Sequence, residues 1–224
     1  IITFSGSPGA TVVYTINGSS NQSVVLDATG QQQVNLTGLA AGTYTILITS
    51  ITEATAPNCT TNTNVTTSLI VQPQPTATIS ANNSVCSGTS ATVNFTGTPN
   101  AIVTYTINGG ANQTITLDAS GTASITTPVL TVDTTYQLVN IATTSAPICT
   151  STLNGSTTIL VTGLPTASIS GTATICSGTA TIITFSGSPG ATVVYTINGG
   201  ANQTILLDAS GNATLTTPNL TSNT

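Results

Sequence analysis

The chain has 224 residues, no Lys, Arg or His, and five carboxylates, so only 2% of it is charged and its formal charge is −5. Without a basic side chain nothing can neutralise phosphates, which excludes nucleic-acid binding and attraction to anionic lipid surfaces. Without His or Lys the usual general bases and Schiff-base amines are also missing, so the chain is expected not to be an enzyme and to have no catalytic or cofactor-binding residues.

Hydrophobic residues make up 38% and aromatics 4%, while Thr alone supplies about a quarter of the chain. Disordered segments are usually rich in charge and poor in β-branched residues. Here Thr, Val and Ile dominate, and they favour strands. No run approaches the roughly 18 apolar residues of a membrane-spanning helix, and eight Phe and Tyr cannot furnish the aromatic girdles of a membrane barrel, so no membrane insertion is expected in this segment.

In chain order, the opening segment 1–18, IITFSGSPGATVVYTING, recurs unchanged at 182–199, and a diverged copy, VNFTGTPNAIVTYTING, occupies 93–109. Phe4, Phe95 and Phe185 correspond, as do Tyr14, Tyr105 and Tyr195, and Asp27, Asp118 and Asp208, a period of about 90 residues. The expected division is a partial repeat at 1–73 lacking its first strand, a complete one at 74–163, and a partial one at 164–224 lacking its last strands. On this reading the sequence is a window on a longer tandem array.

Within 74–163 the apolar period is 2. Strands are expected at 77–80, at 91–97 with Val93 and Phe95 inward, and at 102–108 with Val103, Tyr105 and Ile107 inward. Asn108-Gly109 is a hairpin signal, because both residues tolerate positive φ. Segment 114–117 follows, with Ile115 and Leu117 inward, then an Asp118-Ala119-Ser120-Gly121 turn. Strands at 122–127, at 134–143 around Tyr136 and Leu138, and at 156–161 complete the unit. No segment shows a 3.6-residue apolar pattern with caps. About seven short strands in 90 residues predict an all-β chain of tandem immunoglobulin-like β-sandwich domains in an extended array, with proline-stiffened joints at 71–76 and 161–166.

The four cysteines, Cys59, Cys86, Cys149 and Cys176, contain no CxxC and meet no His, so disulfides in an oxidising setting are expected rather than zinc. Cys59 and Cys86 flank consecutive strands expected to run collinearly, which would hold them tens of ångströms apart. A Cys86–Cys149 bridge would stay inside one repeat and, closing a loop of about 64 residues, would contribute on the order of 4 kcal/mol. It requires segment 142–155 to fold back as a long loop. Cys59 and Cys176 would then pair with cysteines outside 1–224.

The recurring Asp27, Asp118 and Asp208 are the one chemical candidate. A calcium site needs six or more oxygens, so an Asx-type turn is expected and no metal site. Thr104 and Thr106, near Thr114 and Thr116 on the next strand, could order water or meet a glycan, but Thr also simply suits a solvent-facing strand. Asn-x-Ser/Thr triplets such as Asn112-Gln113-Thr114 are what chance produces in a chain this rich in Asn and Thr.

The run PTATISANNSVCSGTSATVNFTGTPNAIVTYTINGGANQTITLDASGTASITTPVLTVDTTYQL, closing with SAPICTSTLNGSTTILV, resembles the tandem immunoglobulin-like repeats of very large surface proteins of Bacteroidota. Those proteins are exported by type IX secretion and include gliding-motility adhesins of the SprB kind. The resemblance spans the whole chain. It implies an extracellular, cell-surface location and a structural role in a filament or adhesin stalk for attachment or gliding. The implied partners are neighbouring repeats of the same chain and other copies in a filament. It also implies O-glycosylation at Thr134, within Asp133-Thr134-Thr135. The alternative function is a direct glycan- or ice-binding module using the Thr/Asn-rich strand faces.

Overall fold

The computed structural model describes residues 1–172 and 174–224, which form twenty β-strands and turns and, among those residues, no helix. The chain folds into two compact units, Ile1–Asn82 with Thr92–Thr127 and Thr134–Thr158, and Asn83–Ala91 with Pro128–Asp133 and Ile159–Thr224.

In the first unit, the strands before residue 72 make two sheets. β1 (Ile2–Ser5) pairs antiparallel with β4 (Gln31–Val34), and the second sheet has the order β3 (Gln22–Val25), β2 (Thr11–Ile16), β5 (Gly42–Thr52), β6 (Thr60–Val71). Alternation explains the interior: Val12 and Tyr14 of β2 point inward to meet Phe4 of β1, Leu26 and Ile46. The Phe4 and Tyr14 rings, one from each sheet, lie 4.7 Å apart between centroids and tie the sheets together.

The same plan recurs farther along this unit. β7 (Ala77–Ala81), β9 (Thr92–Gly97) and β12 (Thr122–Thr126) form a sheet of order β12-β9-β7. β11 (Gln113–Thr116), β10 (Ile102–Ile107) and β13 (Thr134–Ala142) form the opposing one, with β14 (Thr150–Thr152) paired to β13. Val93, Phe95, Val103, Tyr105, Leu117, Tyr136, Leu138 and Ile141 are buried between them. Phe95 and Tyr105 stand 5.0 Å apart across the sheets.

In the second unit, β8 (Ser84–Cys86) runs parallel to the end of β15 (Ser156–Thr162). β16 (Ala167–Gly171), β17 (Ile182–Gly187) and β20 (Asn212–Thr216) make one sheet, and β18 (Thr192–Tyr195) with β19 (Gln203–Leu206) another. Phe185 and Tyr195 again meet at 5.0 Å. The chain is therefore an all-β protein built of immunoglobulin-like β-sandwich repeats, with matching registers in successive copies: Val12 opposite Val24, Val103 opposite Ile115, Val193 opposite Ile205.

Two departures from the expected elements have physical causes. Segment 74–163 contains nine strands, β7 to β15, rather than about seven. The additional ones, β8 and β14, are three residues long, and β14 reads Thr-Ser-Thr, with no apolar alternation to reveal it. Segment 142–155, expected to fold back as a long loop, is instead a hairpin in which Ala142 faces Thr150 and the Thr143 N–H donates to the Cys149 carbonyl at 3.0 Å.

Candidate functional site

The recurring aspartate follows β3, β11 and β19 in the successive copies, at the turn that leads into the opposing sheet. Asp118 Oδ1 accepts from the Ser120 N–H at 2.9 Å, the Thr122 N–H at 2.8 Å and the Ser120 hydroxyl at 2.7 Å, while Oδ2 accepts from the Thr122 hydroxyl at 3.0 Å. Asp27 takes the N–H groups of Thr29 and Gln31 at 2.7 and 3.0 Å, and Asp208 those of Ser210 and Asn212 at 2.8 and 2.9 Å. At Asp118 and Asp27 these donors stabilise the charged form. The Thr122 N–H, followed by the Ser120 hydroxyl, holds the Asp118 carboxyl down at about 2 against an ordinary 3.8, and Asp27 is lowered chiefly by the Thr29 hydroxyl.

Gly121 closes this turn at φ +79°, and its own N–H donates to the Asp118 carbonyl at 3.0 Å. A Cβ there would collide with the Gly97 carbonyl oxygen. The carboxylate is thus occupied by its own turn. Among the described residues no three His, Cys, Asp or Glu side chains gather into a cation site.

The hairpin after β10 turns on Asn108 and Gly109, at φ 50° and 71°, with Asn17-Gly18 and Asn198-Gly199 in the same conformation. Asn108 also reaches across the sheet, its Oδ1 accepting from the Thr135 N–H at 2.8 Å. Thr104 stands opposite Thr114, as the alternation requires, but Thr104 and Thr106 are half-buried, while Thr114 and Thr116 are exposed.

The four cysteines are unbridged: Cys59, Cys86 and Cys176 are exposed and Cys149 is half-buried. Cys149 follows directly on the loop of the β13–β14 hairpin. Thr134 is only 6% exposed at the start of β13. Its neighbour Thr135 shares a 2.9 Å hydroxyl contact with Thr158.

A cavity of about 650 Å³ in the second unit is lined by Ile183, Phe185, Tyr195, Leu215 and Leu220 among others. The counterparts of Phe185 and Tyr195 in the preceding copy are Phe95 and Tyr105. There Tyr105 packs on the Tyr136 ring at 6.2 Å and lies in register with Leu138. The cavity is the interior of a sandwich at the place that β13 fills one repeat earlier, not a shaped ligand site.

No protein-family model matches the chain, and no curated protein matches it significantly. Among solved structures it is similar to the native conformation of Escherichia coli alpha-2-macroglobulin seen by cryo-electron microscopy. The identity is 10% and the TM-score 0.24, over 97% of this chain and 19% of that one.

Proposed function

We propose that the chain is a structural repeat region of a secreted cell-surface filament or adhesin stalk, one that carries length rather than chemistry. The observation that carries this reading is the repetition of one internal design. The interior Phe–Tyr pair, the aspartate turn and the Asn-Gly hairpin recur in three copies with the same contacts. A binding site is normally a local departure from its scaffold, whereas here every polar cluster that recurs is spent on its own backbone.

On this reading the chain is not an enzyme, it works outside the cell, and its partners are neighbouring repeats and other copies of the same chain. An uncharged Thr/Asn/Ser surface suits that setting. It offers no Lys or Arg to trypsin-like proteases and depends little on salt. A glycan array probed with the purified chain tests the reading. No saturable binding is expected, and saturable binding lost on replacing Thr114 and Thr116 by Ala would favour the glycan-module alternative instead.

A further inference from the structure

We propose that the two cysteines of the repeat serve the joints: the Cys86-type thiol of one repeat bridges the Cys149-type thiol of the repeat that follows it. The argument comes from where each unit places its cysteine relative to a joint. In the first unit, the chain enters a repeat at Thr76, whose N–H donates to Thr98 Oγ1 at 3.0 Å while the Thr98 N–H donates to the Thr76 carbonyl at 2.9 Å. The loop carrying Cys149 is fastened to that same β9–β10 turn, because Thr144 Oγ1 donates to the Asn100 carbonyl at 3.1 Å. Cys149 therefore belongs to the end at which the chain arrives.

In the second unit, Cys86 is the strand partner of Thr162, and the Ser87 N–H donates to the Thr162 carbonyl at 2.8 Å. Thr162 is the last residue of β15, so Cys86 stands where the chain departs. Four residues later Thr166 is docked on the next β-turn, its N–H donating to Ser188 Oγ at 3.0 Å and its carbonyl accepting from the Ser188 N–H at 2.9 Å. Four residues span at most about 14 Å, and paired strands lie about 4.8 Å apart. A Cys149-type loop on that next turn would consequently share one joint with Cys86.

Both positions recur with the same backbone restraint. The Cys59 and Cys149 carbonyls accept from Glu53 and Thr143 N–H groups at 2.9 and 3.0 Å, and the Cys86 and Cys176 carbonyls from the hydroxyls of Thr89 and Thr179, both at 2.7 Å. Within residues 1–224 neither joint carries both cysteines. Bridge formation removes a proton from each thiol and joins the two Sγ atoms. The two electrons and two protons pass to a small-molecule disulfide such as oxidised glutathione, which is cleaved to two thiols. The proposal rests on the tandem arrangement alone, so its failure would leave the stalk reading standing.

The test extends the full chain after Thr224 with a second copy of residues 135–163. That copy carries Ile148→Val at an exposed position, so its cysteine peptide has its own mass. After oxidation in a glutathione buffer, non-reduced peptide mapping should recover Cys86 joined to the appended copy of Cys149, with the loss of two titratable thiols. Cys86→Ser in the extended chain should abolish that peptide pair and restore the appended thiol, and the 224-residue chain should form no internal bridge. A Cys86–Cys149 bridge in either chain, or no bridge at the completed joint, would overturn the proposal.

Discussion

At the residue scale, the aspartate turn and the glycine that closes it account for a recurring sequence signature without any ligand. Folding lowers the Asp118 pKa from 3.8 to about 2, so the folded state binds its proton less readily than the unfolded chain. The stabilisation is therefore complete above pH 3.8 and is lost as the pH falls toward about 2. Thermal melts across that window should show a midpoint that declines with acid, and Asp118→Asn should lower the midpoint at neutral pH and flatten the decline. Gly121→Ala combines left-handed backbone with a collision against the Gly97 carbonyl, and should cost at least about 1–2 kcal/mol in urea unfolding. Phe95, fully buried between the sheets, should cost about 3–5 kcal/mol on replacement by Ala.

At the element scale, the strands with clean alternation were legible in the sequence and those without it were not. Val93/Phe95 and Val103/Tyr105 show period 2 and are buried as read. β13 is the informative exception. Its buried apolar residues are Tyr136, Leu138 and Ile141, and the phase slips because Thr104 faces Asn140 while Tyr105 faces Leu138, leaving Val139 as a bulge. The same slip occurs in β5, where Val13 faces Ser50 and Tyr14 faces Ile48. Ile141 was therefore invisible as a core residue to an alternation argument, although its off-phase spacing after Leu138 is the signal a bulge leaves. β8 and β14 are set by pairing with a longer neighbour rather than by their own residues, and the placement of Cys86 depends on β8. A prediction belongs here too. In the second unit Val194 is 59% exposed and β18 pairs with β19 alone among the described strands. A peptide of residues 134–162 added to the chain should protect the β18 amides from hydrogen exchange, with its Leu138 in register with Tyr195; unchanged exchange would contradict the equivalence of the copies.

At the scale of the whole molecule, the composition that excludes so much chemistry becomes a property of the repeat. Interior contacts use a few aromatic and aliphatic residues, polar groups satisfy turns and edges, and no ion pair is required to hold a sandwich together. The repeat period and all-β class could be read directly, because copies 90 residues apart share residues that face inward. What supports a stalk is the recurrence itself, which concentrates selection on the copy and not on one special surface. The most direct measurement is immunogold electron microscopy of intact cells of the source organism, using antibody raised against this chain. The account predicts label outside the cell along surface filaments at regular intervals, and label confined to filament tips or to the cell interior would contradict it.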